Sequence, residues 1–498
     1  EFTKLLDLSN NEFTDNYAQY GKSIVVENNI GSTRVLVDSS RFDVYSQSLQ
    51  TVSSYWAAGN ENVEFDFSDS QGDEDYYPGS SIILTRSEDL ENVLSRAYGS
   101  EDSPFTIQLA GSDRDISHHV YNVKSSLQMI NHVHLRGEGS TQTAIADTLE
   151  DGINTQLLLF KNVEGVVVES LALMGGHAKY GGAALIRESS PQFTDVAFRD
   201  NTSTEKGGAI FVLDGNPEIT SSSFSRNTAL SGGGIYSNNS DFVISETVFE
   251  NNSVENPAGS NENQILQGGG IYAFNSNFTM ENDTLLTNNA GGFNSEGGGI
   301  FIDSPDSPPV YRNGTNSYII QNLVLSGNQA DFGAGIYIKN AEVEIRRCQI
   351  TGNTGQSGAA LYYVNSKVRV INTTVSGNST SNESAPGAIY CSDGGQGLFL
   401  LNSIIWNNDY PQMMFDQGET KLIVAYSNIG HPDSLNDNLM NYTNVEINPG
   451  LDEAYLGTNI SLDPDFVDGI EPSGLATSDG DFNLSDGSPC INEGSPVF

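Results

Sequence analysis

Basic residues are scarce in this chain. Its 498 residues carry 22 Lys and Arg against 64 Asp and Glu, a formal charge of −42. So acidic a surface repels nucleic acid, anionic membranes and polyanionic polysaccharides, and excludes them as partners. Long apolar runs are missing too: no stretch approaches the ~18 residues that a membrane-crossing helix needs. Cysteine is limited to Cys348, Cys391 and Cys490. Three are too few for a disulfide framework and leave one disulfide or three thiols equally open. No signal-like segment precedes the abrupt start at Glu1, which reads as a mature or excised fragment. Neither a phosphate-binding Gly-Lys motif nor a nucleophile arrangement is present.

Glycine and asparagine are what the chain has instead, and they recur in a fixed phrase. Phe198-Arg199-Asp200-Asn201 is followed by Gly207-Gly208-Ala209-Ile210-Phe211, and Phe224-Ser225-Arg226-Asn227 by Gly232-Gly233-Gly234-Ile235-Tyr236. Further copies centre on Asn252, Asn328, Asn353 and Asn378, so the spacings from Asn201 are 26, 25, 76, 25 and 25 residues. The long gap holds another copy at Leu286–Asn289 with Gly297–Phe301, plus insertions near 255–266 and 302–317 rich in Pro, Ser, Asn and Gly. A period near 25 without an internal helix means two or three short strands per turn. One turn cannot bury its apolar face, but stacked turns can, paired ~4.8 Å apart. The expected fold is therefore all-β, a parallel β-helix. Phe, Leu, Ile and Val at the first position and Ile after the glycines form inward columns. The Asn is expected in the tight turn, in left-handed geometry, with its amide bonded to the Asn one rung away.

In chain order, residues 1–80 form a β-rich segment ending in an acidic linker with Asp66, Asp69, Asp73, Glu74 and Asp75. It already contains a copy of the phrase, Phe13-Thr14-Asp15-Asn16 with Gly21–Val26. Residues 81–440 hold the main coil. Ser87 would cap one short N-terminal helix over about 88–97, with Leu90, Val93, Leu94 and Ala97 on one face, closing the first rung. Residues 441–498 close the other end. A rung-like copy upstream of a capping helix suggests that the first ~75 residues stack on a neighbouring subunit, and such head-to-tail contacts give filaments.

The Phe-X-X-Asn and Gly-Gly-Ala-Ile pair at Phe198–Ile210 resembles the repeats of chlamydial polymorphic outer-membrane proteins and of the wider group of secreted right-handed parallel β-helix proteins. Asn402–Asn407, Ala425–Ile429, Asp463–Asp468 and Asp481–Asn492 resemble that group's closing rungs and end segment. The resemblance covers about residues 155–495. It implies a cell-surface adhesin, an autotransporter passenger or an extracellular structural protein. The chain departs from autotransporters in lacking a C-terminal series of amphipathic barrel strands.

For chemistry, the ladder's few basic residues cluster as Lys339, Arg346, Arg347, Lys367 and Arg369. A uronate lyase would need such groups, but local charge balance accounts for them. His132 and His134 alternate and would share a strand face, with His118 and His119 upstream. No cofactor is expected. Calcium is the cation that Asp463, Asp465 and Asp468, or Asp479, Asp481 and Asp486, would attract, although neither set matches an EF-hand loop. Asn-X-Ser/Thr acceptors occur at Asn201, Asn238, Asn251, Asn277, Asn282, Asn313, Asn372, Asn378, Asn382, Asn441, Asn459 and Asn483; in a eukaryotic secreted protein these are glycan sites. No catalytic residue stands out. The expectation is a non-enzymatic, extracellular, self-associating adhesive β-helix that contacts surface glycans. The alternative is a carbohydrate-active enzyme with a groove beside the two insertions.

Overall fold

A computed structural model describes residues 81–430 and 460–491, apart from 85–89, 96, 98, 113–117, 148–154, 257–263, 293, 305–317, 383, 393–394, 410, 416–421, 461, 471 and 473–474. Residue 92, strand Leu439–Met440 and seven strands between residues 4 and 66 are described by backbone alone.

One turn shows how the repeat becomes a coil. Ile210–Leu213 lies in a 12-stranded sheet, and Glu218–Thr220 and Ser223–Ser225 lie in a 23-stranded sheet. Thr228–Ala229 lies in a five-stranded sheet, and Ile235–Asn238 then returns to the first sheet. Neighbouring turns pair in parallel, so like stacks on like: Ile210 on Ile235, Phe211 on Tyr236, Phe198 on Phe224 and Phe224 on Phe249. The inward residues fill one continuous core. Ile210, Ile235, Ile271, Ile300 and Ile336 are at most 1% exposed. Phe198, Phe224 and Phe249 stack face to face, with centroids 4.4 and 4.5 Å apart. Burying each such ring stabilises the coil by about 2–3 kcal/mol.

The corners carry the polar repeats. The Asn column runs through Asn201, Asn227, Asn252, Asn288, Asn328, Asn353, Asn378 and Asn408, each Nδ2 donating to the next Oδ1 at 2.7–3.0 Å. Each Nδ2 also donates to a backbone carbonyl, as Asn201 does to Leu173 at 3.0 Å. Each Oδ1 after the first also accepts a backbone N–H, as Asn227 Oδ1 accepts that of Asn201 at 3.1 Å. Every valence of the buried amide is thereby used. The left-handed residue is not this Asn but the one before it: Asp200, Arg226, Asn251 and Thr287, with φ between 52° and 55°. That corrects the sequence expectation. The ladder Asn needs ordinary backbone geometry to point inward, while the preceding residue, exposed or half-buried, makes the bend. A second column, of hydroxyls, sits at another corner. There Ser222, Thr247, Thr373, Ser403 and Ser427 each accept a backbone N–H from the turn before at 3.1–3.3 Å.

The helix is shorter than expected. It spans Leu90–Leu94, with Leu90, Val93 and Leu94 in the core, and Ser87 lies outside the described residues. Upstream, Lys4–Asp7 pairs with Thr33–Leu36 and that strand with Val63–Asp66, while Glu12–Phe13 pairs with Arg41–Phe42 and Ile24–Glu27 with Tyr55–Ala58. All are parallel, so these strands repeat with a register offset near 30 residues.

Candidate functional site

In the strands of the 12-stranded sheet from Ile210–Leu213 to Ile389–Ser392 the first residue, Ile or in one case Leu361, is buried in the core, so its neighbour must point outward. The outward residues in register are Phe211, Tyr236, Tyr272, Phe301, Tyr337, Tyr362 and Tyr390. Their centroids lie 4.6–5.5 Å apart, an aromatic column outside the core. Its middle rings are covered, Phe301 completely, while Tyr362 and Tyr390 are half-buried.

Two columns of mixed polar and apolar residues flank these rings. Before each corner glycine come Lys206, Ser231, Gln267, Glu296, Phe332 and Ser357, joined by single parallel bridges. Two residues beyond the ring come Leu213, Asn238, Phe274, Asp303 and Lys339. In the middle turns, Gln267 Nε2 donates to Glu296 Oε2 at 2.6 Å, and Glu296 also hydrogen-bonds the Tyr337 hydroxyl. Asn340 Nδ2 donates to Asp303 Oδ1 at 3.2 Å. Burial pushes the Glu296 carboxyl above its usual range, against the pull of Gln267, Lys339 and Tyr337. Burial does the same to Asp303, opposed by Lys339 and Asn340. Desolvation also raises the Tyr272 and Tyr337 hydroxyls. Further along the column, Lys206 Nζ donates to the Tyr236 hydroxyl at 3.0 Å and lies 4.5 Å from that ring's centroid. The strip therefore mixes donors, acceptors and carboxyls that hold protons more readily than exposed ones, a character suited to a polyhydroxylated ligand or to proton transfer.

Sequence reasoning missed Glu296 and Asp303. Both are hidden inside the phrase, one before its glycines and one after its aromatic. A signal existed: Gln267 follows the first insertion, Glu296 stands in the same position one turn later, and Asp303 lies at the start of the second insertion.

The residues singled out from sequence are dispersed. His132 is not paired with His134 on a strand face, because its φ of 56° places it in the corner before Val133–Arg136. His134 Nδ1 accepts the Val167 N–H at 3.1 Å, and burial lowers its basicity. Lys367 and Arg369 share Glu342 Oε1, at 3.2 and 2.5 Å, and Arg346 pairs with Glu344. Arg347 turns a corner and Lys339 belongs to the 12-stranded sheet, so only Lys367 and Arg369 come together, around one shared carboxylate. Among the described residues no group of three His, Cys, Asp or Glu could hold a metal ion. Asp463 and Asp481 each accept a backbone N–H two residues on. No disulfide joins the cysteines, and Cys348 and Cys391 are buried. Cys348 occupies the hydroxyl column and donates its thiol to the Arg346 carbonyl at 3.1 Å.

Of the glycan acceptors, Asn251, Asn282, Asn372, Asn382 and Asn483 are exposed, and Asn238 and Asn277 are half-buried. Asn201 and Asn378 are fully buried in the Asn column. Asn313, Asn441 and Asn459 lie outside the described residues. No described helix is long and apolar enough to cross a membrane.

No curated protein matches the sequence. Among solved structures, the chain is similar to the catalytic unit of a thermostable GH87 alpha-1,3-glucanase from Streptomyces thermodiastaticus. That match has 10% identity and a TM-score of 0.34 over 70% of this chain, which spans 64% of the glucanase unit's length. It is also similar to the mannuronan C-5 epimerase AlgE6 A-module from Azotobacter vinelandii, with 11% identity and a TM-score of 0.26 over 69% of this chain and 91% of that one. PfbA, a surface adhesin of Streptococcus pneumoniae, matches with 12% identity and a TM-score of 0.24 over 65% of this chain and 79% of that one. Residues 151–304 match the family model described as a right handed beta helix region. With the strand pairing above, this chain is a right-handed parallel β-solenoid of about 12 turns, counted on its 12-stranded sheet.

Proposed function

We propose that the chain is an extracellular, non-enzymatic adhesive β-helix. It holds a neutral surface glycan against the outer face of its 12-stranded sheet and associates end to end into a fibre. The observation that carries the reading is the strip of Gln267, Glu296, Asp303, Lys339 and Tyr362, where polar groups of both signs, half-buried except for the buried Asp303, border an aromatic column. Aromatic rings and mixed donors and acceptors suit sugars, and the charge of −42 disfavours anionic ones. The short helix at Leu90–Leu94 covers the first rung. The parallel strands between residues 4 and 66 form the unit that meets a neighbour. In a eukaryotic secretory setting the exposed acceptors at Asn251, Asn282, Asn372, Asn382 and Asn483 carry glycans, whereas buried Asn201 and Asn378 do not.

A second reading rests on the raised carboxyls of Glu296 and Asp303. A carboxyl that burial makes hold its proton more tightly than usual is the kind of group a glycoside hydrolase uses as general acid. Binding and turnover on a panel of neutral glycans separate the two. Retention without product, weakened by Gln267→Ala, supports the adhesin. Product formation lost in Glu296→Gln overturns it in favour of the hydrolase. Absence of both binding and turnover overturns both. Deleting residues 1–75 abolishes fibres seen by electron microscopy if the N-terminal unit mediates assembly; unchanged fibres refute that role.

A further inference from the structure

The coil departs from its own repeat at the corner that follows Leu158–Lys161. In later turns that corner holds Ser189, Ser240, Ser276 and Ser366. Each is at most 4% exposed and accepts a backbone N–H from the turn before at 3.0–3.3 Å. The register that pairs Lys161 with Arg187 puts Val163 in the same column. Val163 offers no hydroxyl and is only half-buried, as is Ile130 at the corner one turn earlier. The pairing of the turns gains nothing from an apolar side chain left partly open here. Between Ile130, His132 and Val163 on one side and the loop Gly99–Glu101 on the other lies a hollow of about 540 Å³, floored by Met129. That volume and an apolar floor suit a small molecule.

The walls are held in place by backbone. A Cβ on Gly99 would lie 2.1 Å from the His132 carbonyl oxygen, so the loop runs directly against the corner. Ser100 and Ser103 exchange backbone hydrogen bonds at 3.0 and 3.2 Å, which closes the loop on itself. On the other wall, Gly165 has φ of 61°, and a Cβ there would lie 2.2 Å from His132 Nδ1. The imidazole therefore lies on this glycine, with its side chain 17% exposed. His132 Nε2 is 3.7 Å from Glu164 Oε1, beyond hydrogen-bonding distance, and among the described residues the ring makes no hydrogen bond. Glu101 stands exposed in the lining, and the Glu164 side chain, next to Val163, is 77% exposed. No Lys or Arg lines the hollow among the described residues. An apolar floor thus meets carboxylates and an uncommitted ring nitrogen at the mouth, a field that favours a positive group.

We propose that this hollow binds a small amphiphilic amine, its apolar body on Ile130 and Val163 and its ammonium between Glu101, Glu164 and His132 Nε2. The site is separate from the aromatic strip and does not depend on the glycan reading. Benzylamine is the probe, with benzyl alcohol and benzoate as neutral and anionic counterparts of similar size, each titrated into the full chain and followed by saturation-transfer NMR and calorimetry. Benzylamine should bind more tightly than either. The double variant Glu101→Gln, Glu164→Gln changes only exposed side chains; it should weaken benzylamine by roughly fivefold and leave benzyl alcohol unchanged. Val163→Ser restores the residue type of Ser189 and should weaken benzylamine and benzyl alcohol alike, with the urea midpoint of the parent retained. Absence of benzylamine binding overturns the proposal, as does benzoate binding equally well. So does an affinity unchanged in the double variant. Loss in the double variant with none in Val163→Ser also overturns it, because attraction to surface carboxylates alone would then account for the binding. Glycan retention on the same samples is independent of these residues, so failure here leaves the adhesive reading standing.

Discussion

Asp283 offers the sharpest energetic test of the coil. It occupies the hydroxyl column, one turn after Thr247, and is 1% exposed. Its Oδ1 accepts the Thr247 N–H at 2.8 Å, but Oδ2 has no partner. The next residue in the column is Leu323, which offers no donor. Burial therefore dominates, with Glu281 and Glu246 adding repulsion, and the carboxyl is pushed up to about 7 from 3.8. Its folded pKa lies above its unfolded one, so the proton is held more tightly in the folded chain. The stability this group contributes is complete below pH ~4 and lost as pH rises from there to ~7. A shift of about 3 units corresponds to roughly 4 kcal/mol at ~1.4 kcal/mol per unit. Asp283→Ser restores the residue type of Ser222 and Ser403 and keeps an acceptor for Thr247. Urea unfolding of parent and variant at pH 5 and pH 8 gives a double difference that cancels other titrating groups, Glu296 and Asp303 included. The parent should lose about 2–3 kcal/mol more than the variant between the two pH values, because part of the loss is already complete at pH 5. Equal losses would refute the argument that an ionised Asp283 is stranded in the column.

Three further outcomes follow from the ladders. Asn328→Ala removes the acceptor for the Asn288 backbone N–H and Nδ2 and the donor to the Leu285 carbonyl; at ~1–3 kcal/mol per stranded group the urea midpoint should fall by the equivalent of about 3–5 kcal/mol. Phe224→Ala opens a cavity between Phe198 and Phe249 and should cost about 3–5 kcal/mol in the same assay. Cys348→Ser, in contrast, should change stability by under ~1 kcal/mol, because the Ser hydroxyl can replace the thiol donor to Arg346 and the Cys348 N–H keeps Thr373; a loss above ~2 kcal/mol would show that the column does not treat the thiol as a hydroxyl.

Much of the scaffold was legible in the sequence because repetition states the same physics many times. Phe198, Phe224 and Phe249, spaced 26 and 25 residues apart, had to stack once the turns paired in register, and the Asn-to-Asn bonding followed from the same spacing. What failed depended on geometry that identity alone does not carry. Asn is the residue most tolerant of a left-handed bend after glycine, so the ladder Asn is assigned the bend. The ladder instead uses its amide, and the bend falls one residue earlier, on Asp200, Arg226, Asn251 or Thr287, of which only Asp200 and Asn251 share that tolerance. The His132–His134 alternation failed for a related reason: a corner ends just before Val133, and strand alternation does not carry through a corner.

The candidate site was hidden for a reason that bears on where function sits in such a chain. In a repeat, a residue that does structural work must recur, since each turn presents the same demand. Asn227 and Ile235 recur; Glu296 and Asp303 do not. The column holding Glu296 reads Lys206, Ser231, Gln267, Glu296, Phe332 and Ser357, and the column holding Asp303 reads Leu213, Asn238, Phe274, Asp303 and Lys339. The pairing of the strands is indifferent to what stands there, so stability imposes no choice. The corner glycines follow the same logic: Gly327, Gly352 and Gly377 interrupt a corner that accepts side chains elsewhere, and the interruption coincides with Ile470 and Thr477 lying against it. Deviation from the repeat, rather than the repeat itself, is what marks contact with something outside the coil.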